Sequence, residues 1–181
     1  MNALISKAGV LALLIFAGCA SPQGKFQVNK DPSYDGKLKR VLIVSLNEDL
    51  ASHLGRDFSN RLLTRFTMLL TQKGVSSEIV HLNQKDLDRT ASVRSAVARF
   101  KPDQLFYVAV TRVLSRNGVQ RRRSNDLPQF TSEMSISFEF NLTETQSGKT
   151  VWRGELHFYT VPYPEDVADQ LVKQLGTERF F

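Results

Sequence analysis

The chain has 181 residues, 41% of them hydrophobic and 23% charged, with a formal net charge of +6 and a single cysteine. That length suits one domain with a real core rather than two ordinary ones, and the composition excludes wholesale disorder. One thiol also excludes a disulfide framework within the chain.

Lys7 is the only charge between Met1 and Ala17, and the run from Ala8 to Ala17 carries no strongly polar side chain. As a helix, such a run spans roughly 15 Å, about half of a ~30 Å hydrocarbon core. It reads as the hydrophobic part of an export signal rather than as a membrane span. The run ends in Phe16-Ala17-Gly18-Cys19. Cys19 has three readings: a lipidated residue, a stray thiol in a secreted protein, or a buried or metal-binding thiol.

The string resembles a bacterial lipobox, with Phe16 where Leu is usual. The resemblance implies cleavage between Gly18 and Cys19, fatty acylation of Cys19 and a membrane anchor. Two or three acyl chains, at about 0.8 kcal/mol per buried methylene, hold where one is marginal. Ala20 and Ser21 follow, and neither is the Asp that keeps such proteins in the inner membrane. The implied destination is the periplasmic leaflet of the outer membrane.

Residues 21–37, SPQGKFQVNKDPSYDGK, lack apolar periodicity and hold two Pro and two Gly. They read as a tether that lets the domain stand several nanometres from the bilayer. The expected organisation is a signal peptide over 1–18, a lipidated N-terminus and flexible tether over 19–38, and a periplasmic α/β domain over 39–181.

KRVLIVSL, residues 39–46, predicts an inner strand. Leu54, Phe58, Leu62, Phe66 and Leu69 or Leu70 then form a helical stripe, capped by Asn47 or Asp49 and stopped at Gly74. SSEIVHL, 76–82, reads as a strand. Residues 87–100 read as a helix with Leu87, Val93, Ala96, Val97 and Phe100 inward, ended by Pro102. QLFYVAVTRVLS, 104–115, predicts a central strand. From there the period changes to two. Met134, Ile136, Phe138, Phe140 and Leu142 alternate with polar residues, and Trp152, Gly154, Leu156 and Phe158 share one face of a partner strand. Pro164 opens a last helix with Val167, Leu171 and Leu175 inward. The expected fold is a single two-layer α/β sandwich: a mixed sheet of about five strands, a long antiparallel C-terminal hairpin, and helices mainly on one face. The terminal Phe180 and Phe181 are expected to pack beside the last helix or to form a contact surface.

Catalytic signals are sparse. Gly148-Lys149-Thr150 matches only the tail of a P-loop, has Thr143 where a glycine is required, and falls in a hairpin turn. His53, His81 and His157 have no neighbours at metal-ligand spacing. No nucleophile elbow is present. The acidic pairs Glu48-Asp49, Asp86 with Asp88, and Glu165-Asp166 sit at helix starts, where they meet the helix dipole. No cofactor, metal or enzymatic activity is expected.

The unusual feature is TRVLSRNGVQRRRSND, 111–126, with Arg112, Arg116, Arg121, Arg122 and Arg123 against one Asp126. It reads as a solvated loop, as a contact for anionic envelope material or an acidic protein, or as a nucleic-acid site. The export signal argues against the last.

PDQLFYVAV, 102–110, and GKTVW, 148–152, resemble strings in a group of envelope lipoproteins: the TolB amino-terminal domain, the curli-secretion lipoprotein and the penicillin-binding-protein activator lipoproteins. That resemblance implies non-enzymatic docking on an envelope protein partner or the cell-wall layer, and carries over no functional residue. A lipid or glycolipid carrier with a cavity between sheet and helices is the alternative. The partner, and whether the chain forms a homo-oligomer, stay open at this stage.

Overall fold

A computed structural model describes residues 24–46, 54, 56–82, 88–120 and 129–181, with side chains described except at 46, 114–120 and 129–134. The signal peptide, Gly18, Cys19, His53, the cap candidates Asn47 and Asp49, and Arg121, Arg122 and Arg123 lie outside the described residues.

Among the described residues the fold is α/β, with one open, mixed six-stranded sheet and three helices. In chain order the elements are β1 (Lys25–Lys30), β2 (Arg40–Leu46), α1 (Arg56–Gln72), β3 (Ser76–Leu82), α2 (Arg89–Phe100), β4 (Gln104–Gln120), β5 (Gln129–Glu144), β6 (Thr150–Phe158) and α3 (Pro164–Thr177). The sheet order is β1-β6-β5-β4-β2-β3. β2 runs parallel to β3 and β4, and the remaining pairs are antiparallel.

The two crossovers explain the layers. From β2 the chain moves outward to β3, then back past β2 to β4, so its direction of travel reverses. Crossovers of the same hand then place α1 and α2 on opposite faces. Alternation in β2 serves both: Val41 and Ile43 join the core under α1 and α3, whereas Leu42 and Val44 join Ala96 and its neighbours under α2. The helices α1 and α3 lie side by side, tied by Arg61 to Glu165 and Arg65 to Asp169. α1 and α3 thus share the main face, and α2 forms a small third layer at one end of the sheet.

The sixth strand is the main departure from expectation. Residues 25–30 fall within the expected tether, yet β1 pairs with β6 from Lys25 opposite His157 to Lys30 opposite Trp152. Phe26 on β1 packs against Phe140 and Trp152. The segment after it also binds the fold: Leu38 is buried and its N–H donates to the Phe180 carbonyl at 2.9 Å. Tyr34 and Trp152 flank the buried Phe180 ring, and Lys30 lies over it. Phe180 therefore packs against the sheet and the N-terminal segment as well as beside α3, and Phe181 is partly buried near it.

Strand β4 is longer than expected. It runs to Gln120 and pairs with β5 as a hairpin that extends past β6, which ends at Phe158 opposite Ile136. Arg112 and Arg116 consequently sit on a strand rather than in a loop.

Candidate functional site: the uncovered polar face of the sheet

On the face opposite α1 and α3, no described residue beyond Tyr107 on β4, β5, β6 and β1 is covered by α2. Strict alternation creates this face. Ile136, Phe138, Phe140 and Leu142 of β5 point into the core, so Ser137, Glu139 and Asn141 lie on the other side, Ser137 itself buried at 3% exposed and the other two half-buried; on β6, Trp152, Leu156 and Phe158 point in and Arg153, Glu155 and His157 out. Strand register then sorts the outward residues into three rows. Tyr107, Asn141, Arg153 and Asn29 form one; Ala109, Glu139, Glu155 and Gln27 the next; Arg112, Ser137, His157 and Lys25 the third.

A bulge delivers Arg112 to this face. Phe106, Val108 and Val110 are inward, so unbroken alternation would bury Arg112 and expose Val113. The register shifts between Val110 and Arg112, setting Arg112 opposite Ser137 and Val113 opposite the buried Ile136. One extra residue turns the rest of the strand over. Arg112 is exposed and Val113 packs on the core.

The rows are cross-linked. Arg153 Nε donates to Asn141 Oδ1 at 2.9 Å and lies 3.7 Å from Glu139 Oε1, and Asn141 Nδ2 donates to the same Glu139 oxygen at 2.9 Å. Glu139 and Glu155 face each other directly across the strand pair. Ser137 Oγ and His157 Nδ1 share a hydrogen bond of 2.7 Å, and the His157 ring meets Tyr159 edge to face at 4.7 Å. Among the described residues His157 has no carboxylate partner, so a nucleophile, base and orienting acid are not assembled there. The face can offer donors and acceptors over a broad area, with Arg153 and Arg112 as forked donors and Glu155 as acceptor.

A hollow of about 300 Å³, lined by Asn29, Asp31, Lys149 and Arg153 among others, adjoins one end of the first row. Lys149 Nζ bonds Asp31, whose other oxygen accepts from Ser33 N at 2.9 Å and Ser33 Oγ at 2.6 Å. The Lys149 bond, helped by Ser33, holds the Asp31 carboxyl well below the usual carboxylate range. Lys149 of the P-loop-like string thus sits beside a hairpin turn with Gly148 at φ 67°, tied to the N-terminal segment.

Of the arginines singled out in the sequence, the structure places Arg112 on the face and Arg116 on β4 with its Cα opposite Glu133. Alternation along the sequence is the signal that puts Ser137, Glu139, Arg153, Glu155 and His157 on polar strand faces, and only the pairing register joins them into one site. His81, on β3, is exposed, and partial desolvation of its ring lowers its pKa. Among the described residues there is no group of three His, Cys, Asp or Glu able to hold a metal, and no helix long and apolar enough to cross a membrane.

Neither a protein-family model nor a curated protein sequence matches the chain. Among solved structures it is similar to a PelC dodecamer from Paraburkholderia phytofirmans, with 14% identity, TM-score 0.48, and 82% of this chain and 91% of that chain covered. It is also similar to a hemagglutinin homolog from Helicobacter pylori, with 12% identity, TM-score 0.46, and 84% and 91% covered. A DUF330 protein from Xanthomonas campestris follows, with 10% identity, TM-score 0.38, and 88% and 91% covered. These are likenesses of layout, and none of the three is from the TolB, curli-secretion or penicillin-binding-protein activator groups.

Proposed function

We propose that this chain is an outer-membrane-anchored periplasmic lipoprotein that works without catalysis, as an adaptor whose open sheet face binds an envelope protein partner or the cell-wall layer. The observation that supports the reading best is the open polar face itself. Four strands about 4.8 Å apart, each contributing three outward residues, present a surface on the order of 15 Å across. A surface of that shape suits another macromolecule, since small-molecule sites are concave and enclosing. The lipobox-like string at Cys19 and the resemblance to docking lipoproteins support the same reading. The carrier alternative needs space between sheet and helices, and there the fully buried rings of Phe66, Phe106, Phe138, Phe140 and Trp152 fill it.

Photocrosslinkers at Gln27 and Glu155, introduced in intact cells, are expected to capture one specific envelope component. Reversing charge at Arg112→Glu and Arg153→Glu should abolish the capture while leaving the melting temperature nearly unchanged. Capture that survives both reversals refutes the face as the docking site. Mass spectrometry of the mature N-terminal peptide tests the anchor independently: it should begin at Cys19 and carry acyl chains.

A further inference from the structure

The helical side of the domain carries a second feature. Arg61 pairs with Glu165 and Arg65 with Asp169, four residues further along each helix, so α1 and α3 run in the same direction and their C-terminal ends come together. There a hollow of about 380 Å³ opens between them. Its apolar walls are Leu69 of α1, Val172 of α3 and the Phe181 ring, and Lys73 and Lys173 stand on its rim. Val172 is buried, Leu69 and Phe181 are partly buried, and both lysines are exposed. Phe181 is held in place, since Lys37 Nζ donates to the backbone oxygens of Arg179 at 2.7 Å and Phe181 at 2.6 Å. Lys73 Nζ lies 6.0 Å from the centre of the Phe181 ring.

The charge balance here is positive. Among the described residues Asp169 is the one acid lining the hollow, and Arg65 engages its two oxygens at 2.9 and 3.3 Å. Neither Lys73 nor Lys173 forms an ion pair among the described residues. Two helix C-termini contribute roughly half a negative charge each against two full positive charges, which leaves about one positive charge over. Gly176 also lines the hollow, with a φ outside the left-handed range, so the backbone there does not call for glycine. Alanine is the better helix former, and a Cβ at this position would meet only Phe181 Cδ2, at 3.8 Å. What the missing Cβ leaves is room beside the ring.

We infer that this hollow receives an acidic segment of a partner polypeptide, with one large apolar side chain seated on Leu69, Val172 and Phe181 and a neighbouring carboxylate reached by Lys73 and Lys173. Burial of the apolar side chain supplies the attraction, and the surplus positive charge selects an acid beside it. A fatty acid combines the same two chemistries, but its chain needs enclosure over most of its surface. The hollow is open on one side and offers three apolar side chains, enough to cover one ring. It lies across the sheet from the polar face, so the inference stands apart from the docking proposed there and gives the domain a contact surface on each side.

The test uses the full chain in phosphatidylcholine nanodiscs. The probe is a fluorescein-labelled peptide, blocked at both ends, in which aspartate and phenylalanine alternate. Its fluorescence anisotropy should rise on binding, less so as salt is added. Peptides with asparagine for aspartate, or alanine for phenylalanine, should each bind at least about tenfold more weakly. Lys73→Gln with Lys173→Gln should weaken the acidic peptide by a similar factor and leave the asparagine peptide unchanged. Gly176→Leu should abolish binding with the melting temperature unchanged or raised, because it fills the hollow with a better helix former. If that variant unfolds, the exposed lysine pair decides alone. No binding to the wild type, or binding that survives both the lysine pair and Gly176→Leu, overturns the inference. Decanoate that displaces the probe as well as unlabelled peptide does assigns the hollow to lipid and overturns the polypeptide reading. Arg112→Glu with Arg153→Glu should leave this binding unaltered, and a loss there moves the peptide to the polar face.

Discussion

Phe26 and Trp152 pack with their ring centroids 6.2 Å apart, which puts a residue of the expected tether against the largest fully buried side chain of the core. β1 is therefore a structural part of the domain.

Phe26→Ala is expected to cost about 2 kcal/mol, less than the ~3–5 kcal/mol of a wholly buried Phe because one side of its ring is solvated. Urea unfolding of the exported domain measures it. A change within error of zero would show that β1 adds nothing to the stability of the sheet.

Gly154 lies where these two rings close over the strand. A Cβ there would sit 2.4 Å from Trp152 Cη2 and 2.7 Å from Phe26 Cε1. Gly154→Val should destabilise by about 1–3 kcal/mol through overpacking, and together with Phe26→Ala it should cost less than the sum, since one obstruction is gone. Strict additivity in thermal unfolding would contradict that geometry.

The Asp31 pair with Lys149 makes stability depend on pH in a defined direction. The folded pKa is depressed by the Lys149 and Ser33 hydrogen bonds, below an unfolded value near ~3.9. The contribution is thus fully present above about pH 4 and fades as pH falls toward the folded pKa, where the native carboxylate takes up its proton. Asp31→Asn should lower the melting temperature at neutral pH, and its gap from the wild type should narrow below about pH 4. A gap constant with pH would mean that charge plays no part.

Glu139 and Glu155 oppose each other across β5 and β6, an arrangement that disfavours folding unless something else uses it. Glu139 is engaged by Asn141 and lies near Arg153, so Glu155→Gln should relieve repulsion and raise stability by about 0.2–1 kcal/mol. If the face serves docking, the same substitution should weaken capture of the partner. A variant both more stable and equally well captured would remove Glu155 from the contact.

Local pattern made much of this protein legible. The stripe Phe58, Leu62, Phe66 and Leu70 announced α1 because helical periodicity is a property of neighbours in the chain, and Gly74, at φ 77°, ended it as expected. Alternation from Ile136 to Leu142 and from Trp152 to Phe158 likewise decided which side chains are buried. Those outcomes follow from the spacing of apolar residues along the chain, which the sequence states directly.

The tertiary structure alone decided three things. KFQVNK becomes a strand only because β6 offers a free edge and Trp152 a surface for Phe26; six mostly polar residues carry no strong strand signal of their own. Arg112 faces outward only because pairing with β5 places a bulge beside it. The charged rows of the open face exist only in the register of four strands drawn from distant parts of the chain. Burial is written in the sequence as a one-dimensional rhythm, but which strand lies beside which is settled by competition among edges in space, and the candidate docking face arises from that competition.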